Sequence, residues 1–206
     1  MRLFCLRKIR SEDRIVTIEA PPRILALVGM PGAGKSLCAA HLQTLGYFQF
    51  RFGSIVVNEV VRRGQAINPV NEKVVREEFR ALEGMDAIAK RALPILQDAL
   101  NTRHTIIIDG LYSFSEYKTL KAEWGESLIV IAITCARQLR YQRLADRPDR
   151  PLTRAEAEQR DYNEIENIEK GGPIAMADFT LLNDDTPDAL IGSLDRLLGV
   201  LKVKPL

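Results

Sequence analysis

Little in this sequence invites a metal, a disulfide framework or a membrane. Its three cysteines, Cys5, Cys38 and Cys135, are odd in number and have no metal-ligand spacing. Two of them fall at expected core positions, where a small buried hydrophobe is the plainer reading. The two histidines, His41 and His104, stand alone and read as packing or surface residues. Neither sign of charge dominates: 29 Lys and Arg meet 27 Asp and Glu, for a net charge of +2. Electrostatics therefore gives no reason to expect nucleic acid or a membrane surface as a partner. The longest apolar runs, residues 24–30 and 128–133, are strand-length and well short of the roughly 20 residues that cross a bilayer. Residues 1–10 carry basic side chains without the apolar run of a secretion signal, so the cytoplasm is the expected location. No internal repeat and no low-complexity tract is present.

What remains is the composition of a globular protein, 46% hydrophobic and 27% charged over 206 residues. That length builds one well-buried domain and is too short for two with a linker. Residues 1–22 read as an appendage, with an alternating, strand-like stretch at 14–19 ended by Pro21-Pro22. From Ile24 onward the pattern is regular and defines a domain over 23–206. Continuous apolar runs at 24–28, 105–108 and 128–134 suit strands buried on both faces, as in a parallel sheet. Shorter strands are expected at 47–50 and 178–183. Helices are expected at 35–45, 55–63, 72–100 with interruptions near Gly84 and Pro94, 115–124, 137–147, 153–169 and 187–201. Thr153 with Glu156 three residues on forms a capping-box pattern. Strands alternating with helices predict an α/β fold, a mostly parallel sheet between helical layers.

The strongest local signal is Gly29-Met-Pro-Gly-Ala-Gly34-Lys35-Ser36, a complete G-x-x-x-x-G-K-[ST]. Composition alone produces such a match in roughly one chain in a hundred or fewer. A buried strand precedes it and a helix follows, as the chemistry requires. The glycines let successive N–H groups turn inward onto phosphate oxygens, and the helix N-terminus adds partial positive charge. In this reading Gly29, Met30, Pro31, Gly32, Ala33, Gly34, Lys35, Ser36 and Leu37 bind ATP; Lys35 reaches the β- and γ-phosphates and Ser36 holds Mg²⁺. A dinucleotide fingerprint fails, because the position three residues after Gly34 in Gly32-Ala-Gly34, where the third glycine would stand, is Leu37.

Asp109 closes the run Ile106-Ile-Ile108. A carboxylate at the end of a strand beside the phosphate loop can hold Mg²⁺ or its water shell. The arginines Arg137, Arg140, Arg143, Arg147, Arg150, Arg154 and Arg160 form the third signal. Most read as a solvated face paired with Asp146, Asp149, Glu156 and Glu158. Phosphoryl transfer needs cations over the migrating group, and Arg143 and Arg147 are the candidates expected to close over ATP as a lid.

Together, the phosphate loop, Arg51-Phe-Gly-Ser54, Asp109-Gly110, the Arg-rich helix pair and Ala177-Asp178-Phe179 resemble the nucleoside-monophosphate-kinase branch of P-loop kinases. Within it they resemble small microbial proteins related to adenylate kinase and dephospho-CoA kinase. Glu83-Gly-Met-Asp-Ala-Ile-Ala-Lys-Arg91 and Ala175-Met-Ala-Asp-Phe-Thr-Leu-Leu-Asn183 carry the same likeness. The resemblance implies a three-layer P-loop NTPase fold with a five-stranded parallel sheet in the order 2-3-1-4-5. It also implies a helical acceptor-binding insertion at about 54–100 and an Arg-rich lid at about 137–169. The implied activity is transfer of the γ-phosphoryl of Mg-ATP to a nucleoside monophosphate or dephospho-CoA.

Two positions depart from that pattern. Ser54 and Val57 stand where those kinases usually carry Asp and a phosphate-gripping Arg, and Asp109-Gly-Leu-Tyr112 lacks an arginine. The acceptor's anion is then expected at Arg51, Ser54, Arg62, Arg63 and Arg91, with Lys90 a poorer candidate. The expected partner is a small nucleotide-like acceptor, bound by a monomer or homodimer. The competing expectation is an ATP-driven switch whose cycle governs contact with a partner, and dependence of ADP formation on a small acceptor separates the two.

Overall fold

A computed structural model describes residues 23–205. The appendage at 1–22, with its expected strand at 14–19, lies outside the described residues. Five strands, β1 (Ile24–Val28), β2 (Phe48–Arg51), β3 (Ile106–Asp109), β4 (Leu128–Thr134) and β5 (Phe179–Leu182), form one parallel sheet in the order β2-β3-β1-β4-β5. This is the expected order.

The centre of the sheet is buried on both sides because β1, β3 and β4 are apolar at consecutive positions, not at alternate ones, whereas the edge strands β2 and β5 carry polar residues. Ile24, Ala26, Val28, Ile106, Ile108, Leu128, Val130 and Ala132 face one layer. That layer comes from α2 (Gly53–Arg62), α3 (Pro69–Glu83), α4 (Ala87–Ala99) and α5 (Phe114–Trp124). Leu25, Leu27, Ile107, Ile129, Ile131 and Ile133 face the other, where α1 (Lys35–Thr44) presents Cys38 and Leu42. There α9 (Pro187–Leu201) adds Leu190, Leu194, Leu197, Leu198 and Leu201. The period of two sorts neighbouring side chains to opposite layers. Each fully buried Leu or Ile stabilises the fold by about 1.5–3 kcal/mol.

Between β4 and β5 come α6 (Arg137–Ala145), α7 (Arg154–Glu166) and the short α8 (Gly171–Ala175). The first two close over a small cluster of Tyr141, Leu144 and Ala157. Thr153 caps α7 through a complete capping box with Glu156, as its sequence predicts. A second capping box, Ser113 with Glu116, starts α5.

Two expectations need correction. Residues 72–100 break once, at Gly84 with φ +97°, whereas α4 runs on through Pro94. Pro94 and Lys90 are both exposed, so the carbonyl that loses its helical partner lies on the solvent side. The helix expected to reach 169 ends at Glu166, and a turn with Glu169 at φ +60° leads into α8.

Candidate active site

The register of the sheet brings the phosphate loop, Asp109 and Arg51 to one edge. Asp109 pairs with Leu27 on one side and with Arg51 on the other, so the C-terminal ends of β1, β2 and β3 are level. The loop leaves β1 at Gly29 and enters α1 at Lys35. Gly34, the N-cap, has φ +111° and Gly32 has φ +79°, both in the left-handed region. A Cβ on Gly32 would lie 2.7 Å from the carbonyl oxygen of Arg140, so the loop is pressed against α6 at this point. Ser36 and Leu37 are exposed on the first turn of α1, and Met30 is half-buried.

The Lys35 ammonium folds back over the loop, donating to the carbonyls of Gly29 (2.6 Å) and Met30 (3.4 Å). Burial pulls its pKa down to about 8, and Lys170 nearby adds to the fall; Glu164 and Asp109 oppose it. Its charge is thus only partly compensated, which favours an incoming phosphate.

Two side chains hold the loop from outside its own sequence. Arg140, buried in α6, donates to the carbonyl of Pro31 (3.0 Å) and grips Asp161 of α7 through both terminal nitrogens (3.0 and 2.6 Å). Asn183, just past β5, donates to the carbonyl of Ala33 (2.8 Å). Tyr141 donates its hydroxyl to the same Asp161 (3.1 Å). The loop is therefore pinned to both the α6–α7 pair and the end of the sheet.

Beside the loop opens a cavity of about 500 Å³. Phe52, Val56, Val57, Ile88 and Ile168 give it apolar walls, and Arg51, Arg76, Arg80 and Arg160 carry charge into it. Glu72, Glu116, Glu164, Ser54 and Tyr112 complete the lining. It joins the phosphate loop through Asp109, whose carboxylate is 3.7 Å from Arg51, and through Glu164, which faces Lys35 electrostatically. Glu164 is itself buried and accepts from Arg160 (3.1 Å) and from Lys170, whose ammonium also lies 4.7 Å from the Tyr112 ring centroid.

Several expected residues are placed differently from their sequence reading. Arg143 does not bond the loop itself but donates to the carbonyl of Asn183 (3.0 Å), the residue that pins Ala33, and to the sulfur of Cys135 (3.3 Å). Arg147 is exposed beyond the end of α6, in the turn before α7. Their spacing put them on one face with Arg140, but only Arg140 turns inward to the loop, because Asp161 waits there. On the acceptor side, Ser54 lines the cavity while its hydroxyl donates to the carbonyl of Arg51 (2.6 Å).

Arg62, Arg63 and Arg91 do not line the cavity. Arg62 and Arg63 both clamp Glu59, holding its carboxyl down at about 2, and Arg63 also reaches Glu78 (2.6 Å). Arg91 pairs with Glu83 and stacks 3.7 Å over the Phe79 ring. All three arginines are ion-paired where they stand.

The cavity arginines that sequence reasoning passed over, Arg76 and Arg80, are four residues apart on α3 and so share a face. That spacing was visible in the sequence. Which face of α3 turns inward was not, since it is set by Val75 and Phe79 packing into the core. Among the described residues no group of three or more His, Cys, Asp or Glu is arranged to hold a metal without help from a ligand. Among them, too, no helix is long and apolar enough to cross a membrane.

Comparison with known proteins agrees with this architecture. Residues 25–168 match the AAA domain family. A UPF0200/UPF0201 protein of Archaeoglobus fulgidus is 32% identical over 178 residues, 85% of this chain and 55% of the relative, so the chain spans about half of that protein. A UPF0200 protein of Thermococcus gammatolerans is 33% identical over 168 residues, 80% of this chain and 88% of the relative. Among solved structures, TT1252 from Thermus thermophilus superposes with a TM-score of 0.62 at 18% identity, covering 86% of this chain and 97% of that one. Shikimate kinase from Acinetobacter baumannii superposes at 0.52 and 19% identity, covering 88% and 94%. A gluconokinase from Sinorhizobium meliloti does so at 0.51 and 14%, covering 89% and 97%. These structural likenesses show a shared fold. The match across most of the sequence and the near-full-length UPF0200 relative together show that this chain belongs to the AAA domain family and to the UPF0200 proteins.

Proposed function

We propose that the chain transfers the γ-phosphoryl group of Mg-ATP to a small nucleotide-like acceptor bound in the cavity beside the phosphate loop. A nucleoside monophosphate or dephospho-CoA matches the resemblance of its motifs. The observation that carries the reading is the shared edge: Lys35, Asp109, Arg51 and Glu164 link the phosphate loop to a walled cavity large enough for a small molecule. A switch that only binds and hydrolyses ATP has no use for a walled, arginine-lined chamber at that point. The same fold is found in solved shikimate kinase and gluconokinase structures, which supports a small-molecule acceptor over a protein one.

In this reading the loop N–H groups and Lys35 hold the phosphates, and Lys35 leaves the carbonyls of Gly29 and Met30 to do so. Ser36 and Asp109 would hold Mg²⁺, which when bound neutralises charge on the β- and γ-phosphates. Arg160 and Lys170 flank the path between the two ligands, where charge on the migrating phosphoryl needs cations. The acceptor's attacking oxygen, a phosphate oxygen of a nucleoside monophosphate or a hydroxyl of dephospho-CoA, forms the new bond to phosphorus, the bridging oxygen departs with ADP, and where a hydroxyl attacks its proton passes to water. The test is ADP release by the full chain with AMP, dephospho-CoA or no acceptor present. Release that requires an acceptor is the expected result. Equal release without one would replace this reading with the switch.

A further inference from the structure

The cavity contains charge that the protein answers only at a distance: Glu116 and Arg80 attract each other without forming a hydrogen bond or a close ion pair. Among the described residues, no ion pair joins Arg76 or Arg80 to any carboxylate, although every other arginine considered for the acceptor is paired. The Nε of Arg80 is buried without a hydrogen-bond partner. Glu116 has no exposed surface, yet it lines the same cavity. Its Oε2 accepts from the backbone N–H groups of Tyr112 (2.9 Å) and Ser113 (3.0 Å), completing the capping box of α5. Its Oε1 has no partner at all. Leaving one buried polar atom unmet costs about 1–3 kcal/mol, and two such atoms on residues that line one cavity point to a ligand that meets both.

We propose that Arg76, Arg80 and Glu116 recognise the acceptor itself: a small acid, phosphate monoester or carboxylate, that also carries a hydroxyl or amine. The anion lies between the two guanidinium groups of α3, which present several N–H donors to its oxygens. The hydroxyl or amine donates to Oε1 of Glu116. Because Glu116 is fixed by two backbone donors, its free oxygen has one direction, so it discriminates by position as well as by chemistry. A buried acceptor of this kind rejects an analogue that lacks the donor far more strongly than an apolar wall could. The apolar walls, Val56, Val57 and Ile88, then face the carbon frame of the ligand.

This assignment rests on the phosphotransfer reading for its word acceptor, but its test does not need turnover. The full chain is titrated by calorimetry, without ATP, against two matched pairs: glycerol 3-phosphate with propyl phosphate, and glycerate with propionate. At least one pair is expected to bind at millimolar concentration, with its hydroxylated member the tighter; which pair binds identifies the anion. Arg76→Met and Arg80→Met are each expected to weaken that binding about tenfold or more, whereas Arg91→Met leaves it unchanged. Glu116→Gln must turn its amide toward the cavity to keep the cap, so the preference for the hydroxylated member should vanish. Thermal unfolding accompanies each variant, and Arg80→Lys replaces Arg80→Met if the latter does not fold. Failure of all four probes to bind would overturn the proposal. So would unchanged affinity in both arginine variants, or a hydroxyl preference that survives Glu116→Gln. A chain that binds these probes but never releases ADP would refute phosphotransfer and leave the site standing. Acceptor-dependent ADP release with Arg76 and Arg80 silent would do the reverse.

Discussion

Arg140 offers a prediction that separates what holds the fold from what shapes the site. Its guanidinium is buried between α6 and α7, bound twice to an equally buried Asp161 and once to the carbonyl of Pro31 in the phosphate loop. Arg140→Met keeps most of the volume and leaves the Asp161 carboxylate buried with only the Tyr141 hydroxyl. Breaking one side of a buried pair costs about 3–5 kcal/mol, a large share of the roughly 5–15 kcal/mol that holds a domain. For a chain of this size the thermal midpoint should fall by roughly 6–20 °C. Arg140→Met with Asp161→Leu removes both charges and should recover most of that loss, because apolar replacement of a whole buried pair is close to neutral.

Function should not recover with it. The carbonyl of Pro31 loses its charged donor in the single and the double variant alike, so the loop is less well held in both. The KM for ATP is expected to rise roughly tenfold in each, the worth of one charge-assisted hydrogen bond. Urea unfolding and ATP titration on the wild type, Arg140→Met, Asp161→Leu and the double variant decide the matter. If the single substitution costs under about 1 kcal/mol, or the double costs the sum of the singles, the latch argument fails.

Three further outcomes follow from the site. Lys35 has a free-state pKa of about 8 because burial lowers it, and phosphates bind its protonated form. ATP affinity should hold steady below that pH and weaken by up to about tenfold per unit above it, with proton uptake visible by calorimetry in buffers of different ionisation enthalpy; a flat profile to high pH would contradict this. Burial raises the Glu116 carboxyl from 4.5 to about 7, opposed by the Ser113 and Tyr112 backbone donors. The folded state therefore binds the proton more tightly than the unfolded state, and its stability should decline as pH rises from about 4.5 to 7, by on the order of 3 kcal/mol. Glu116→Gln should flatten that slope in urea unfolding at the two ends of the range, and an unchanged slope would refute the assignment. Asp109→Asn keeps shape and drops charge, so half-saturating Mg²⁺ should rise with ATP affinity less affected, and identical Mg²⁺ titrations would make Asp109 a strand-end residue only.

The centre of the sheet was legible in the sequence because β1, β3 and β4 are buried on both faces and read as continuous apolar runs. The phosphate loop was legible because its function fixes glycines and a lysine at set spacings. The acceptor side was not, for a physical reason. An arginine's role depends on whether a carboxylate reaches it first, and the partners that claim Arg63 and Arg91 lie 15 and 8 residues away. Arg140 shows the same lesson in reverse, since its partner Asp161 is 21 residues on, in the next helix. Glu116 carried a readable signal, the Ser-x-x-Glu capping box, but a capping box accounts for one carboxylate oxygen and says nothing about the other. The turn that brings Lys170 onto Glu164 depends on Glu169 in a left-handed conformation, which a non-glycine residue does not announce.

The central claim is that phosphoryl leaves ATP at Lys35 and arrives on a small molecule in the adjoining cavity. Phosphorus NMR on the full chain with Mg-ATP and an acceptor identified by binding tests it directly. The account predicts ADP and the phosphorylated acceptor appearing in equal amounts, with both lost in a folded Lys35→Ala variant. ADP accompanied only by inorganic phosphate, or turnover that survives Lys35→Ala, would contradict it.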